Sequence, residues 1–289
     1  LLAVHPDPAS WQEALTRLDA HWADPALWRV IARNASTFTS YYLLHALDHQ
    51  IDATGKLVPV PATEAIYLGI YARTFWMGLV ITLICLVLAY PLAYWLATLP
   101  ARHSNLLMIG VLLPFWTSIL VRVAAWIVLL QSSGLVNATL TMLGLINEPL
   151  ELVFNRLGVT IAMVHIMLPF MILPIYSVMK GISPSLMHAG VSLGAHPFVS
   201  FWRVYFPQTL AGVGAGSLLV FILSIGYYIT PALLGGPRDQ MVSYFVAFHT
   251  NVSINWGMAT ALAVLLLAAT TLLYLVYGWL AGNSKLKLG

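Results

Sequence analysis

An all-α bundle of membrane-spanning helices is the fold class this sequence predicts, and three observations carry it. Of the 289 residues, 60% are hydrophobic and only 8% are charged, with a mean hydropathy of +0.85, well beyond what a soluble domain of this size needs. The apolar residues gather into five runs, 71–99, 105–130, 157–179, 209–234 and 257–281, each long enough at about 20 residues or more to cross hydrocarbon as a helix. The charges between the runs segregate by sign. Helices are the only reading for isolated spans, because lipid offers the backbone no hydrogen-bond partner.

Residues 1–65 stand apart as a polar helical region ahead of the membrane domain, which takes residues 66–289. Ser10 to Glu13, SWQE, has the form of a capping box, and Trp11, Leu15, Leu18 and Trp22 then recur on one helical face. A second short helix starts at Asp24-Pro25, with aspartate at the N-cap and proline at the first helical position, and carries Leu27, Val30 and Ile31. Seven acids against four bases suit either a solvated lid or a docking surface for an external partner.

All ten acids lie before the first run, in the 131–156 connection (Glu148, Glu151) or in the 235–256 connection (Asp239). The opposite face, made of 100–104, 180–208 and 282–289, holds Arg102, Lys180, Arg203, Lys285 and Lys287 and no acid. The positive-inside rule makes that face cytoplasmic, so residues 1–65 are extracytoplasmic. Five spans with an external start imply a sixth upstream of Leu1. The Leu1-Leu2 start lacks the charged region of a cleavable signal peptide. Cys85 is the single cysteine, inside an apolar run, so neither a disulfide framework nor a thiol metal site is expected.

The segment 181–208 is too long and too organised for a connector, which needs two to eight residues or so. Ser183-Pro184 reads as a helix start, Leu186, Ala189, Gly190 and Leu193 follow at helical spacing, and Gly194 is a stop signal. Pro197 opens a second short helix, with Phe198, Phe201 and Trp202 as an apolar face, that is expected to end before Pro207. The order His188, Ala189, Gly190, three residues, Gly194, nine residues, Val204, one residue, Phe206-Pro207 resembles the E-A-A-x3-G-x9-I-x-L-P loop of binding-protein-dependent ABC importer permeases. His188, Gly190 and Phe206 depart from that pattern, standing for its Glu, Ala and Leu.

From about residue 70 onward, YPLAYWLA (90–97), LLPFWTSILVRVAAWIVLL (112–130), LPFMILPIYSVM and TPALLGGP (230–237) resemble the spermidine/putrescine-type permeases of the first kind. The resemblance implies the ABC importer permease fold, with the 181–208 loop supplying coupling helices that sit in a groove of a cytoplasmic ATPase. Ser183, His188, Ala189, Gly190, Gly194, Arg203 and Pro207 are then the ATPase-coupling residues. It further implies a second permease subunit, two cytoplasmic ATPase subunits, an extracytoplasmic solute-binding protein and a bacterial inner-membrane location. No cofactor is expected in this chain, where G-x4-G-K-[ST] is absent; ATP and Mg belong to the ATPase. Membrane lipid is the surrounding medium, and no nucleic acid is expected. The implied cargo is a polyamine such as spermidine or putrescine, or a related small solute.

Inside the spans, Gly212 and Gly216 form a G-x3-G pair that suits close helix approach. Pro114, Pro169, Pro174 and Pro231 are expected to interrupt spans. Arg122 is a charge deep in a span, where it snorkels or faces the bundle interior. Aromatic faces at Trp116, Trp126, Tyr227 and Tyr228 are the candidates for cation contact along a path, since no span carries a carboxylate. His165 reads as a hydrogen-bonded packing residue. A secondary transporter or channel remains as an alternative, although it would be expected to show intramembrane acids and inverted repeats. No catalytic or metal-binding pattern is present, and the chain reads as a translocation subunit rather than an enzyme.

Overall fold

The computed structural model describes residues 11–34, 39–52 and 54–285. Contacts divide the chain into two compact units, 1–68 and 69–289.

In the first unit, α1 (Trp11–Leu18), a 3-10 turn (Ala20–Ala23) and α2 (Pro25–Asn34) follow one another; Ser10 lies outside the described residues. Asp19 caps the turn by accepting the His21 N–H at 2.9 Å. The Trp28 indole donates to the Trp22 carbonyl at 2.7 Å, fixing the two rings 5.5 Å apart. After α3 (Tyr41–His45), β1 (His49–Ile51) and β2 (Leu57–Pro59) pair antiparallel, a small departure from an all-helical chain. The hairpin turn is closed by Asp52, whose carboxylate accepts the Thr54 and Lys56 N–H groups. Asp48 is buried and takes the Tyr67 and Leu68 N–H groups at 3.0 and 2.8 Å. These are orphan donors of the helix that begins there, so a carboxylate at that end satisfies both the hydrogen bonds and the dipole.

The second unit is a helical bundle with five helices long and apolar enough to cross a membrane among the described residues. The first is α4 (Tyr67–Thr98). Met77, Ile81, Cys85, Ala89 and Ala93 form its fully buried stripe at four-residue spacing, while Trp76, Leu83 and Val87 face outward and are equally apolar. The second run does not form one helix. It divides into α5 (Ala101–Leu112), a 3-10 turn (Leu113–Trp116) and α6 (Ile119–Leu130), followed by α7 (Leu135–Met142). Pro114 sits in the 3-10 turn and Thr117 and Ser118 are extended, so the backbone breaks beside Pro114, as expected of that proline. The spanning segment is accordingly Ile119–Met142.

The third span, α8 (Arg156–Gly181), is the most buried. Pro169 and Pro174 lie inside it without ending it, against the expectation of interruption. The chain then runs through α9 (Pro184–Ser192), α10 (Pro197–Ser200), a π turn (Phe201–Tyr205) and α11 (Phe206–Gly226). Short helices α12 (Ile229–Leu234) and α13 (Val242–Asn251) precede the last span, α14 (Trp256–Lys285).

Helices α8 and α11 make the most extensive pairing in the bundle. A Cβ on Gly212 would stand 2.9 Å from the Pro174 carbonyl oxygen, and one on Gly216 3.0 Å from the Met171 sulfur. The two helices therefore meet backbone to backbone, the approach that small residues at four-residue spacing permit. Across the bundle, the Tyr90 hydroxyl meets the Thr209 hydroxyl at 3.1 Å and the Tyr71 hydroxyl donates to the Leu262 carbonyl at 3.0 Å.

Candidate functional site

Two constellations are the candidates. The first is the corner between α9 and α10. Gly194 has φ +92°, its N–H donates to the Val191 carbonyl at 2.9 Å, and the Ala195 N–H donates to the Gly190 carbonyl at 3.1 Å. Those paired bonds are a Schellman motif, with glycine at the left-handed position where a Cβ is disfavoured. The space around Gly194 is open, so backbone conformation alone selects the residue. Beyond the corner, His196 caps α10 through its ring, which accepts the Phe198 N–H at 3.3 Å. The Ser200 hydroxyl donates back to the Met187 carbonyl at 3.2 Å, and Gly190 lies directly against it.

The second short helix does not stop before Pro207. The Phe206 N–H donates to the Phe201 carbonyl, five residues back, and the helix continues through Pro207 into α11. Proline lacks an N–H and crowds the carbonyl four residues before it; a π turn opens the backbone at that point. Segment 197–226 is thus a single 30-residue helical run. Ser183, His188, Ala189, Gly194, Arg203 and Pro207 are exposed on this corner, while Gly190 is half-buried. Leu186, Leu193, Phe198 and Trp202 are exposed beside them. A wholly apolar groove of about 570 Å³ runs between α4 and the π turn, walled by Tyr90, Tyr94, Phe201, Trp202 and Phe206.

The second constellation lies on a partly exposed face of the bundle, where α6, α8 and the break between α11 and α12 meet. The Trp126 indole donates to His165 Nδ1 at 3.3 Å. Arg122 stands one helical turn from Trp126 on the same face of α6, and its guanidinium is within electrostatic reach of the His165 ring and the Tyr227 hydroxyl. Because the run breaks at Thr117 and Ser118, Arg122 is not deep in its span as expected but in the first turn of α6, its own N–H donating to the Ser118 carbonyl. The Thr230 hydroxyl faces Tyr227, and the fully buried Ser224 hydroxyl makes no protein hydrogen bond. The Tyr227 carbonyl is held by the Ser243 hydroxyl at 2.8 Å.

Of the aromatic path candidates, Trp126 and Tyr227 come together here with Arg122. Trp116 is 82% exposed on the 3-10 turn, and Tyr228 turns away to line a separate cavity of about 540 Å³ between α11, α13 and α14. A further polar group escaped the sequence reading. Asp239 is buried and pairs with Arg156 at 3.2 Å, while Arg73 donates to the Arg238 carbonyl. Among the described residues no three His, Cys, Asp or Glu side chains converge as metal ligands.

The chain is 34% identical over 212 residues to the spermidine/putrescine transport system permease protein PotB of Haemophilus influenzae, covering 72% of this chain and 74% of that one. PotB of Escherichia coli K12 is 33% identical over 228 residues, covering 78% and 82%. This chain belongs to the spermidine/putrescine-type family of ABC transporter permeases. The inner membrane ABC transporter permease protein YdcU of E. coli is 35% identical over 206 residues, covering 66% of this permease and 65% of the relative. No protein-family model matches the permease. In fold it is similar to a chain of a bacterial alginate ABC transporter solved with an alginate pentasaccharide-bound periplasmic protein, at TM-score 0.65, 13% identity and 94% coverage of both chains. The permease is a multi-pass inner-membrane translocation subunit, and the secondary-transporter alternative gives way to this family.

Proposed function

We propose that this chain is one membrane half of an ATP-driven importer for spermidine, putrescine or related small amines. ATP hydrolysis takes place on two separate cytoplasmic ATPase subunits, a second permease completes the pathway, and an extracytoplasmic solute-binding protein delivers the cargo. The observation that carries the cargo is the PotB relationship, at 33% identity over 78% of the chain. The observation that carries the mechanism is the corner at Gly194, rigidly closed on one side and continuous through the π turn with a membrane span on the other. Movement of an ATPase against Ser183, His188, Ala189 and Arg203 then reaches α11 and the break at Tyr227 without passing through a slack loop. Arg122, Trp126, His165 and Tyr227 line the path, where indole and phenol faces receive an ammonium and the hydroxyls replace its water.

Reconstitution of the complete transporter in proteoliposomes tests this. Uptake of labelled spermidine or putrescine that requires the binding protein and internal ATP is the expected result. Uptake of neither amine, with mass spectrometry recovering a solute lacking amines from the binding protein, overturns the cargo.

A further inference from the structure

Among the described residues, no carboxylate pairs with the guanidinium of Arg122. The five spans contain no aspartate or glutamate. The His165 imidazole and the Tyr227 phenol, neither of them an anion, are within electrostatic reach of Arg122, and its Nε is sealed from solvent with no hydrogen-bond acceptor among the described residues. Arg122 lies in the first turn of the span Ile119–Met142, and a buried donor of a charged group left without an acceptor is disfavoured there. The side chain is only partly buried, however. On the same face of α6, Ile119 and Ala125, three residues to either side, are exposed, so the position remains open toward whatever covers that face.

We infer that the counter-charge is a carboxylate of the second permease subunit, inserted against Arg122 when the two permeases assemble; this rests on the two-permease reading proposed above. A cargo group does not meet the need, because the charge requires compensation when no cargo is bound. An amine cargo moreover brings a second cation. A carboxylate from the facing subunit neutralises Arg122 at rest and cancels its repulsion of a passing polycation. It also gives the two subunits a fixed register, the use for which buried ion pairs are best known.

The test is a double-mutant cycle in the complete transporter purified from membranes, read as the fraction of intact complex on dilution. Arg122→Met is combined in turn with neutralisation of each intramembrane Asp or Glu of the second permease to Asn or Gln. For one acid, each single substitution is expected to weaken subunit association roughly tenfold, with the double variant recovering to within roughly twofold of the parent. Arg122→Lys, which keeps the charge, should retain most of the association and shows that the site tolerates substitution. Additive losses for every acid, or a second permease with no acid in its spans, overturn the pairing while leaving the two-permease reading intact. A purified complex whose only permease is this chain overturns that reading, and the inference with it.

Discussion

Gly190 and Ser200 touch across the corner between α9 and α10: a Cβ on Gly190 would stand 2.5 Å from the Ser200 hydroxyl oxygen, which itself donates to the Met187 carbonyl at 3.2 Å. Adding that methyl forces the hydroxyl to rotate away and give up its bond. Gly190→Ala should therefore cost about 1 kcal/mol of local stability, and Ser200→Ala in the same chain should recover most of it. Hydrogen exchange of the amides in α9 and α10 measures both; protection unchanged in Gly190→Ala would mean the two helices are free to part.

At Gly194 the constraint is conformational rather than steric, since φ is +92° and the surroundings are open. Gly194→Val should cost about 1 to 3 kcal/mol at the corner, whereas Gly194→Asn, which tolerates left-handed geometry, should cost much less. Both variants are expected to insert normally. The valine variant should lose solute-stimulated ATP hydrolysis, and equal hydrolysis in the two would remove the corner from the coupling mechanism.

Close approach of α8 and α11 gives a third expectation. A Cβ on Gly212 already lies 2.9 Å from backbone at Pro174, which cannot swing aside as a side chain can. Gly212→Ile should destabilise the detergent-solubilised protein by about 1 to 3 kcal/mol through overpacking. Gly110→Ile, at a site with nothing near its Cβ, is the matched control for thermal unfolding.

In the first unit, Asp19 and His21 form a pH-dependent pair on an exposed turn. The His21 N–H and ring lower the Asp19 carboxyl below its ordinary 3.8, and the Asp19 carboxylate raises the His21 ring above its ordinary 6.5. The raised histidine contributes fully below 6.5 and loses its contribution as pH rises through the folded value; the depressed aspartate contributes above 3.8 and loses it as pH falls. The turn should be tightest between those limits. An NMR titration of His21 should give a midpoint above 6.5 that moves down in Asp19→Asn; identical midpoints would mean the ring is unpaired in solution.

The number of spans was readable because hydrocarbon demands long apolar runs, and the corner was readable because Gly194 and the proline positions are backbone chemistry. Helix ends inside apolar sequence were not. In LLPFWTSILV, Pro114 did mark an interruption, and it lies in the 3-10 turn; that α6 restarts only at Ile119, after extended Thr117 and Ser118, was not marked. Pro207 misled for a related reason: proline ends an α-helix, but the π turn at Phe201–Tyr205 absorbs it. The buried stripe of α4 was hidden because its lipid-facing side is just as apolar. Within the membrane, Arg122, Trp126 and Tyr227 were legible as residue types out of place. Their grouping with His165, Ser224 and Thr230 depends on how α6, α8 and α12 cross, which no local pattern encodes.

Because the π turn lets the helix run on through Pro207, segment Pro197–Gly226 behaves as a lever arm. Its 30 residues reach roughly 45 Å at 1.5 Å per residue. A tilt of about 5° about the Gly194 end sweeps the Gly226 end through roughly 4 Å over that length, a distance comparable to the width of an ammonium group with part of its hydration. Small rotations at the Gly194 corner would therefore be geometrically magnified at Tyr227, where the rod ends.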